Sequence, residues 1–186
     1  MNDINWLKNY FELYNDAIHN EKIFHDLLQL KSLMENTNNK NGKVVLFGNG
    51  GSAAIASHVS VDLVKNASIK STTYNEYDLI TCLANDYGFE KWMEKAVEYY
   101  CSENDLVILI SSSGNSKNVI NAANKCKEMN IGLVTFTGFD NDNNLKKLGD
   151  LNFWLDSKSY NIVEMTHHIW ILCVVDMIIG SAEYSA

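Results

Sequence analysis

The sequence predicts an α/β fold, a doubly wound parallel sheet sandwiched by helices, and three observations carry that prediction. Short aliphatic runs at residues 43–47 (KVVLF), 105–111 (DLVILIS) and 131–137 (IGLVTFT) alternate with stretches of helical periodicity. The runs are apolar along their length rather than at every second position, which suits strands covered on both faces. Two of them lead straight into a turn of small residues and then a helical pattern, GNGGS at 48–52 and SSSGNS at 111–116, as at strand–helix junctions on the carboxyl edge of a parallel sheet.

Taken in order, residues 4–18 place Trp6, Leu7, Tyr10, Phe11, Tyr14 and Ile18 at helical spacing, and Ile23, Phe24, Leu27, Leu28, Leu33 and Met34 continue in a second helix. Such wide apolar stripes serve either a subunit interface or packing within one subunit. The polar stretch 36–42 (NTNNKNG) reads as a loop into the first strand. A helix at about 52–65 follows the glycine turn, then a short β-prone run at 71–74 and mixed helical sequence through 100. After the second strand, Val119, Ile120, Ala123 and Cys126 mark a helix that stops before residue 130. A third strand at 131–137, a short last one at 151–155 and a helix over 161–180 complete the chain. One domain over residues 1–186 is expected, with 1–40 as a helical interface segment.

At 186 residues and 46% hydrophobic content the chain is long enough for one full core. The 23 acidic residues outnumber the 15 basic ones, giving a formal charge of -8, which argues against a nucleic-acid surface. Arginine is absent, so a bound phosphate must be held by backbone N–H groups, hydroxyls or lysine. Cys82, Cys101, Cys126 and Cys173 form no C-x-x-C pair and lie in apolar surroundings, as expected of buried free thiols in a reducing compartment. No basic segment followed by an apolar run opens the chain, and the longest apolar tract, 169–175, is too short to span a bilayer. A cytoplasmic protein without a membrane partner is expected.

The chemistry is expected at the two turns. Glycines at 48, 50 and 51 allow a ligand close to the backbone, and the start of the following helix offers free N–H groups to an anion. The serine turn adds hydroxyls and a second helix start. Small residues also make ordinary turns, but two such junctions at one edge favour a ligand site. Neither G-x-x-x-x-G-K-[ST] nor G-x-G-x-x-G is present, which demotes ATP and NAD in favour of a compact phosphate ester such as a sugar phosphate.

GNGGSAA followed by His58, then Asn85-Asp86-Tyr87-Gly88-Phe89, then SSSGNSKNV, resembles the sugar isomerase (SIS) domain family, and within it the phosphoheptose isomerases, over nearly the whole chain. The resemblance implies a homotetramer with sites at subunit interfaces. It implies conversion of sedoheptulose 7-phosphate to a glycero-manno-heptose 7-phosphate for surface polysaccharide. By the same resemblance the sugar phosphate meets Asn49, Gly50, Gly51 and Ser52, Asn85 and Asp86, and Ser111, Ser112, Ser113 and Ser116. A His and a Glu four residues on, which in the family bind zinc and act on substrate, correspond to His58 and Asp62. These positions leave one face of a helix, and Asp reaches one methylene less than Glu.

Besides Asp62, the chain departs from the family at three positions. The Gln and the His eight residues later expected on the last helix align with Val163 and Ile171, while Glu164 and His168 stand at i and i+4 with His167 adjacent. An Arg expected after the glycine turn's helix is replaced by Asn66, beside Lys65; Lys65 and Lys117 are the available cations. Two readings of Glu164 and His168 stand open: a structural pair in a subunit core, or partners that join His58 and Asp62 around a metal. Asp62 and His168, with His167 as the alternative to His168, are the expected acid/base groups for an enediol-type isomerisation. Zinc is the only cofactor implied. The competing expectations are a non-catalytic SIS-domain regulator of the kind that binds a replication initiator, and an isomerase for another ketose phosphate.

Overall fold

A computed structural model describes residues 2–184. Strand β1 (Val44–Gly48) is flanked by β2 (Ser71–Thr73) on one side and β3 (Leu106–Ser111) on the other, and β4 (Gly132–Thr137) and β5 (Leu151–Trp154) extend the sheet beyond β3. The order is β2-β1-β3-β4-β5 and every neighbouring pair is parallel. Strand order reverses between β1 and β3, which opens a crevice outside their carboxyl ends where open α/β sheets bind ligands. The glycine turn follows β1 and the serine turn follows β3, so the topology brings both to that crevice.

All residues of β1 and β3 are buried because each face of the sheet has its own core. On one face Leu46, Ile108, Ile110, Val134 and Phe136 meet α1 (Asp3–Ile18), α2 (Phe24–Asn39), α3 (Gly51–Lys65) and α7 (Tyr160–Ile179). On the other, Val45, Phe47, Val107, Leu109 and Leu133 meet α4 (Tyr77–Tyr87), α5 (Trp92–Tyr100) and α6 (Lys117–Glu128). Each fully buried aliphatic side chain contributes about 1.5–3 kcal/mol. The starts of β1 and β3 are clamped by Asp105, which accepts from Lys43 Nζ at 2.7 Å, Lys43 N at 2.8 Å and Ser102 N at 2.8 Å.

Three expectations need correction. The polar stretch after Asn36 is not a loop throughout, because α2 continues to Asn39. Asn38 supports that last turn by donating to Ser68 O and accepting from Lys70 N. The thiols are all free, but only Cys126 is buried; Cys82 and Cys173 are exposed and Cys101 lies between, since each of the exposed pair sits on the outer side of its helix. Finally, α7 is long and apolar enough to cross a membrane by length and composition. It is instead a core helix, with α1, α2 and α3 laid against it, and its Val163, Trp170, Ile171, Val174 and Val175 face the sheet-side core.

Candidate active site

β1 stops at Gly48, and Gly50 turns the chain with φ 55 and ψ -120, a backbone conformation that side-chain-bearing residues avoid. α3 then starts at Gly51 with no side-chain cap. At the end of β3, Ser111 and Ser112 are buried, and the chain reaches Ser116, the residue before α6. A serine in that place ordinarily caps the helix with its hydroxyl, but Ser116 makes no such bond. Between the two turns lies a cavity of about 100 Å³ lined by Asn49, Ser52, Ser111, Ser112, Ser113, Ser116, Tyr160 and Glu164. Hydroxyls, an amide and an uncapped helix start converge there, the chemistry that holds an oxyanion without arginine.

Asn49 is held across the crevice by a reciprocal amide pair. Its Nδ2 donates to Asn118 Oδ1 at 3.1 Å and its Oδ1 accepts from Asn118 Nδ2 at 2.9 Å. Asn118 is only 3% exposed, and its Oδ1 also accepts from Val119 N at the start of α6. Sequence reasoning passed over Asn118, although it stands inside the SSSGNSKN stretch. It also missed Tyr160, whose only signal is its place at the start of the last helix.

The α3–α7 seam gathers the titratable groups. His58 Nε2 lies 3.3 Å from Asp62 Oδ2 one turn along α3, and Asn66 Nδ2 donates to Asp62 Oδ1 at 3.2 Å. Asn66, where the family pattern led to an expected Arg, therefore serves the carboxylate instead. The His168 ring stands edge-on to that of His58, with centroids 4.8 Å apart. Burial, with His58 adding and Asp62 opposing, holds the His168 imidazole below its ordinary pKa. His168 and its neighbour part company here. The His167 ring is wholly buried between Phe136 and Trp170, and its Nε2 donates to Thr137 O at 3.0 Å. Burial pushes His167 down to about 4, so it is a neutral structural residue outside the seam.

Glu164 does not join the histidines. Its carboxylate lies over Gly51, where an added Cβ would come within 2.9 Å of Oε1 and 2.7 Å of Cδ. Burial raises its pKa, and the nearby Ser112 hydroxyl opposes the rise. Ser112 Oγ itself has no partner of hydrogen-bonding geometry among the described residues. Asn85 and Asp86 end α4 on the exposed surface, bonded to each other at 2.9 Å and outside the cavity lining of this single chain. Val163 and Ile171 are fully buried in the core. Lys117 pairs with Glu90 at 2.9 Å on the surface rather than reaching into the crevice. Among the described residues no cluster of three or more His, Cys, Asp or Glu side chains is drawn together as a metal site. Two linked regions result: an oxyanion cavity, and along the same helix pair a carboxylate flanked by imidazoles.

The SIS domain family pattern matches residues 9–138. A phosphoheptose isomerase of Fusobacterium nucleatum is 32% identical over 181 residues, covering 95% of this chain and 93% of that protein. One from Helicobacter pylori is 30% identical, covering 94% of each. The structure of a phosphoheptose isomerase from Francisella tularensis superposes with a TM-score of 0.87 at 24% identity, covering 96% of this chain and 98% of that one.

Proposed function

The chain belongs to the SIS domain family, and from that premise we propose that it is a sugar-phosphate aldose–ketose isomerase acting on sedoheptulose 7-phosphate to give a glycero-manno-heptose 7-phosphate for surface polysaccharide. The observation that carries the reading is the seam itself. Ser52 of the oxyanion cavity and His58 stand six positions apart on α3, Asp62 follows one turn on, and His168 meets His58 from α7. At the α-helical rise six positions are about 9 Å, the reach of an extended sugar chain. The relatives over nearly the full length are isomerases, which supports an enzyme over the regulator reading.

In this reading the serine hydroxyls and the α6 N-terminus hold the phosphate, so that remote binding orients the reacting carbons. Asp62 takes the proton from the carbon beside the carbonyl, and His168, largely neutral at pH 7, serves the oxygen on the other side of the enediol. His58 and Asn66 keep the Asp62 carboxylate aimed. His58, Asp62 and His168 are also the residues that would hold zinc. Two imidazoles and a carboxylate suit that ion in kind, and His168 Nε2 is buried with no partner among the described residues. When bound, zinc would supply a Lewis acid for the carbonyl oxygen. Glu164, turned toward Gly51, is left out of that set.

We further infer a cytoplasmic homotetramer. Ile4, Trp6, Leu7 and Phe11 on α1, Phe24 and Leu28 on α2, and Val61 and Val64 on α3 are 44–61% exposed. Apolar exposure on that scale supports a buried interface, with residues 1–40 as its main contributor. Asn85 and Asp86 would reach a substrate from their exposed helix end in that assembly. The test is turnover of sedoheptulose 7-phosphate by the purified protein, with and without added zinc. Asp62→Asn is expected to abolish turnover while phosphate-ester binding persists; full activity in that variant would remove Asp62 from the mechanism.

A further inference from the structure

The last helix carries Tyr160, Glu164 and His168 at successive turns of one stripe. Glu164 lies over Gly51, the first residue of α3, and His168 meets His58 about two turns farther along α3. The two helices therefore run side by side in the same direction, and Tyr160 stands one turn beyond the start of α3. It closes the cavity at the end away from His168. Among the described residues that line this cavity, Tyr160 alone is exposed, at 59%, so the mouth is at its ring. The cavity volume of about 100 Å³ is well below the ~300–1,000 Å³ of a pocket that encloses a whole small ligand. It takes one end group of a sugar phosphate, and the carbon chain lies outside it.

The Tyr160 ring is braced from behind. Phe139 meets it edge-on, with ring centroids 4.9 Å apart. Phe139 holds φ 54, a region that bulky side chains seldom enter. Two backbone bonds impose that conformation: Gly138 N donates to Ser112 O at 2.9 Å, and Phe139 N donates to Ser157 O at 2.9 Å. The loop after β4 is thus tied both to the serine turn and to the approach of α7, and it delivers the Phe139 ring onto Tyr160. Backbone strain of this kind persists where the surroundings over-determine it, and ligand clamps are such places.

We propose that Tyr160 is a specificity-determining residue that sets the chain length of the ketose: its ring, with Phe139 as the positioning residue behind it, is a backstop fixing how far the end group in the cavity sits from His168. The inference rests on the isomerase reading above and adds a length preference to it. Eight positions of α7 separate Tyr160 from His168, about 12 Å at the helical rise. An ester seated against the ring brings its carbonyl to the acid/base groups only when its chain fills that span. A chain one carbon shorter stops short of them, and misplacement by about 1 Å can cost about a hundredfold in rate. The serine hydroxyls address the end group and are indifferent to the length of chain that follows it. Without the ring, the end group slides toward solvent and chains of different length are placed equally loosely.

The test compares the seven-carbon sedoheptulose 7-phosphate with the six-carbon fructose 6-phosphate, by steady-state kinetics and by calorimetric affinity. It uses the full-length protein and its Tyr160→Ala, Tyr160→Phe and Phe139→Ala variants. The wild type is expected to favour the longer ester at least about tenfold in kcat/KM and to bind it more tightly. Tyr160→Ala is expected to bring that ratio down about tenfold, through kcat for the longer ester more than through KM, because the end group is still held but no longer placed. Tyr160→Phe is expected to keep the wild-type ratio, since the ring rather than the hydroxyl is the stop, and Phe139→Ala to fall between Tyr160→Ala and wild type. A wild type without length preference, a folded Tyr160→Ala that keeps the preference in both measurements, or a Tyr160→Phe that loses it as fully as Tyr160→Ala overturns the backstop and leaves the isomerase reading standing. A wild type that turns over neither ester, yet binds the longer one more tightly by a margin that Tyr160→Ala removes, overturns the isomerase reading and leaves the backstop standing.

Discussion

Acidification should destabilise this fold through His167, by an amount its surroundings set. The ring is fully buried, donates from Nε2 to Thr137 O and has its pKa pushed down to about 4 by burial. The unfolded chain titrates near 6.5, so between about pH 6.5 and pH 4 it binds the proton more readily than the native state, and stability falls as the pH falls. Linkage between those two values gives a loss of about 2 kcal/mol by pH 5 and about 3 kcal/mol by pH 4. His167→Gln keeps a donor for Thr137 O and removes the titration. Urea unfolding of wild type and His167→Gln at pH 7.5, 6, 5 and 4 isolates the effect, because the carboxylates common to both cancel in the difference. The wild type is expected to lose ground to the variant progressively below pH 6.5, and His167→Gln is expected to keep its turnover at pH 7.5. A stability difference that stays constant with pH would refute the assignment of a buried neutral imidazole, and loss of turnover in a well-folded variant would return His167 to the chemistry.

Three other measurements bear on the fold and the site. Asp105→Ala takes the acceptor from the Lys43 and Ser102 backbone N–H groups and leaves the part-exposed Lys43 ammonium only Tyr100 O, and a loss of about 1–3 kcal/mol is expected in denaturant unfolding. Asn118→Ala removes the reciprocal amide pair that holds Asn49; it should cost about 1–3 kcal/mol and raise KM several-fold with a smaller effect on kcat. Burial holds the Glu164 pKa above its unfolded value, so its favourable contribution exists below the unfolded pKa and is lost as pH rises through the folded one. Glu164→Gln is therefore expected to raise the melting temperature at pH 7, with the gain shrinking toward pH 4.

The sheet was legible because its signal is local. Runs such as DLVILIS are apolar on both faces, and that alone implies a parallel strand buried between helix layers. The two turns were legible for the same reason, as small residues between a strand and a helix. The pairing of Asn49 with Asn118 was not, since it joins residues from separate strand–helix units and depends on strand order. The end of α2 was misread because asparagines favour loops in isolation, whereas Asn38 gains partners at Ser68 and Lys70 that no local pattern announces. The fate of Glu164 was equally hidden. Its pairing with His168 at i and i+4 pointed to a shared partner, but a glycine on the neighbouring helix left room for its carboxylate elsewhere.

The last helix explains why losing the family's expected Gln and His need not abolish a site. Positions 163, 167, 170, 171 and 174 fall on one stripe of α7, and here that stripe is the core, with Val163, His167 and Ile171 fully buried. A polar residue at 163 or 171 would face the hydrophobic interior of this chain rather than the crevice. Positions 164 and 168 belong to the adjoining stripe, which lies against α3, and this sequence carries its carboxylate and imidazole there. One step around the helix thus separates the groups removed from the groups present. The removed pair is replaced by well-packed apolar side chains. The pair retained meets Gly51 at one end and His58 at the other. Under the proposed function, acid/base chemistry would be performed from that contact with α3 rather than from the core stripe of α7.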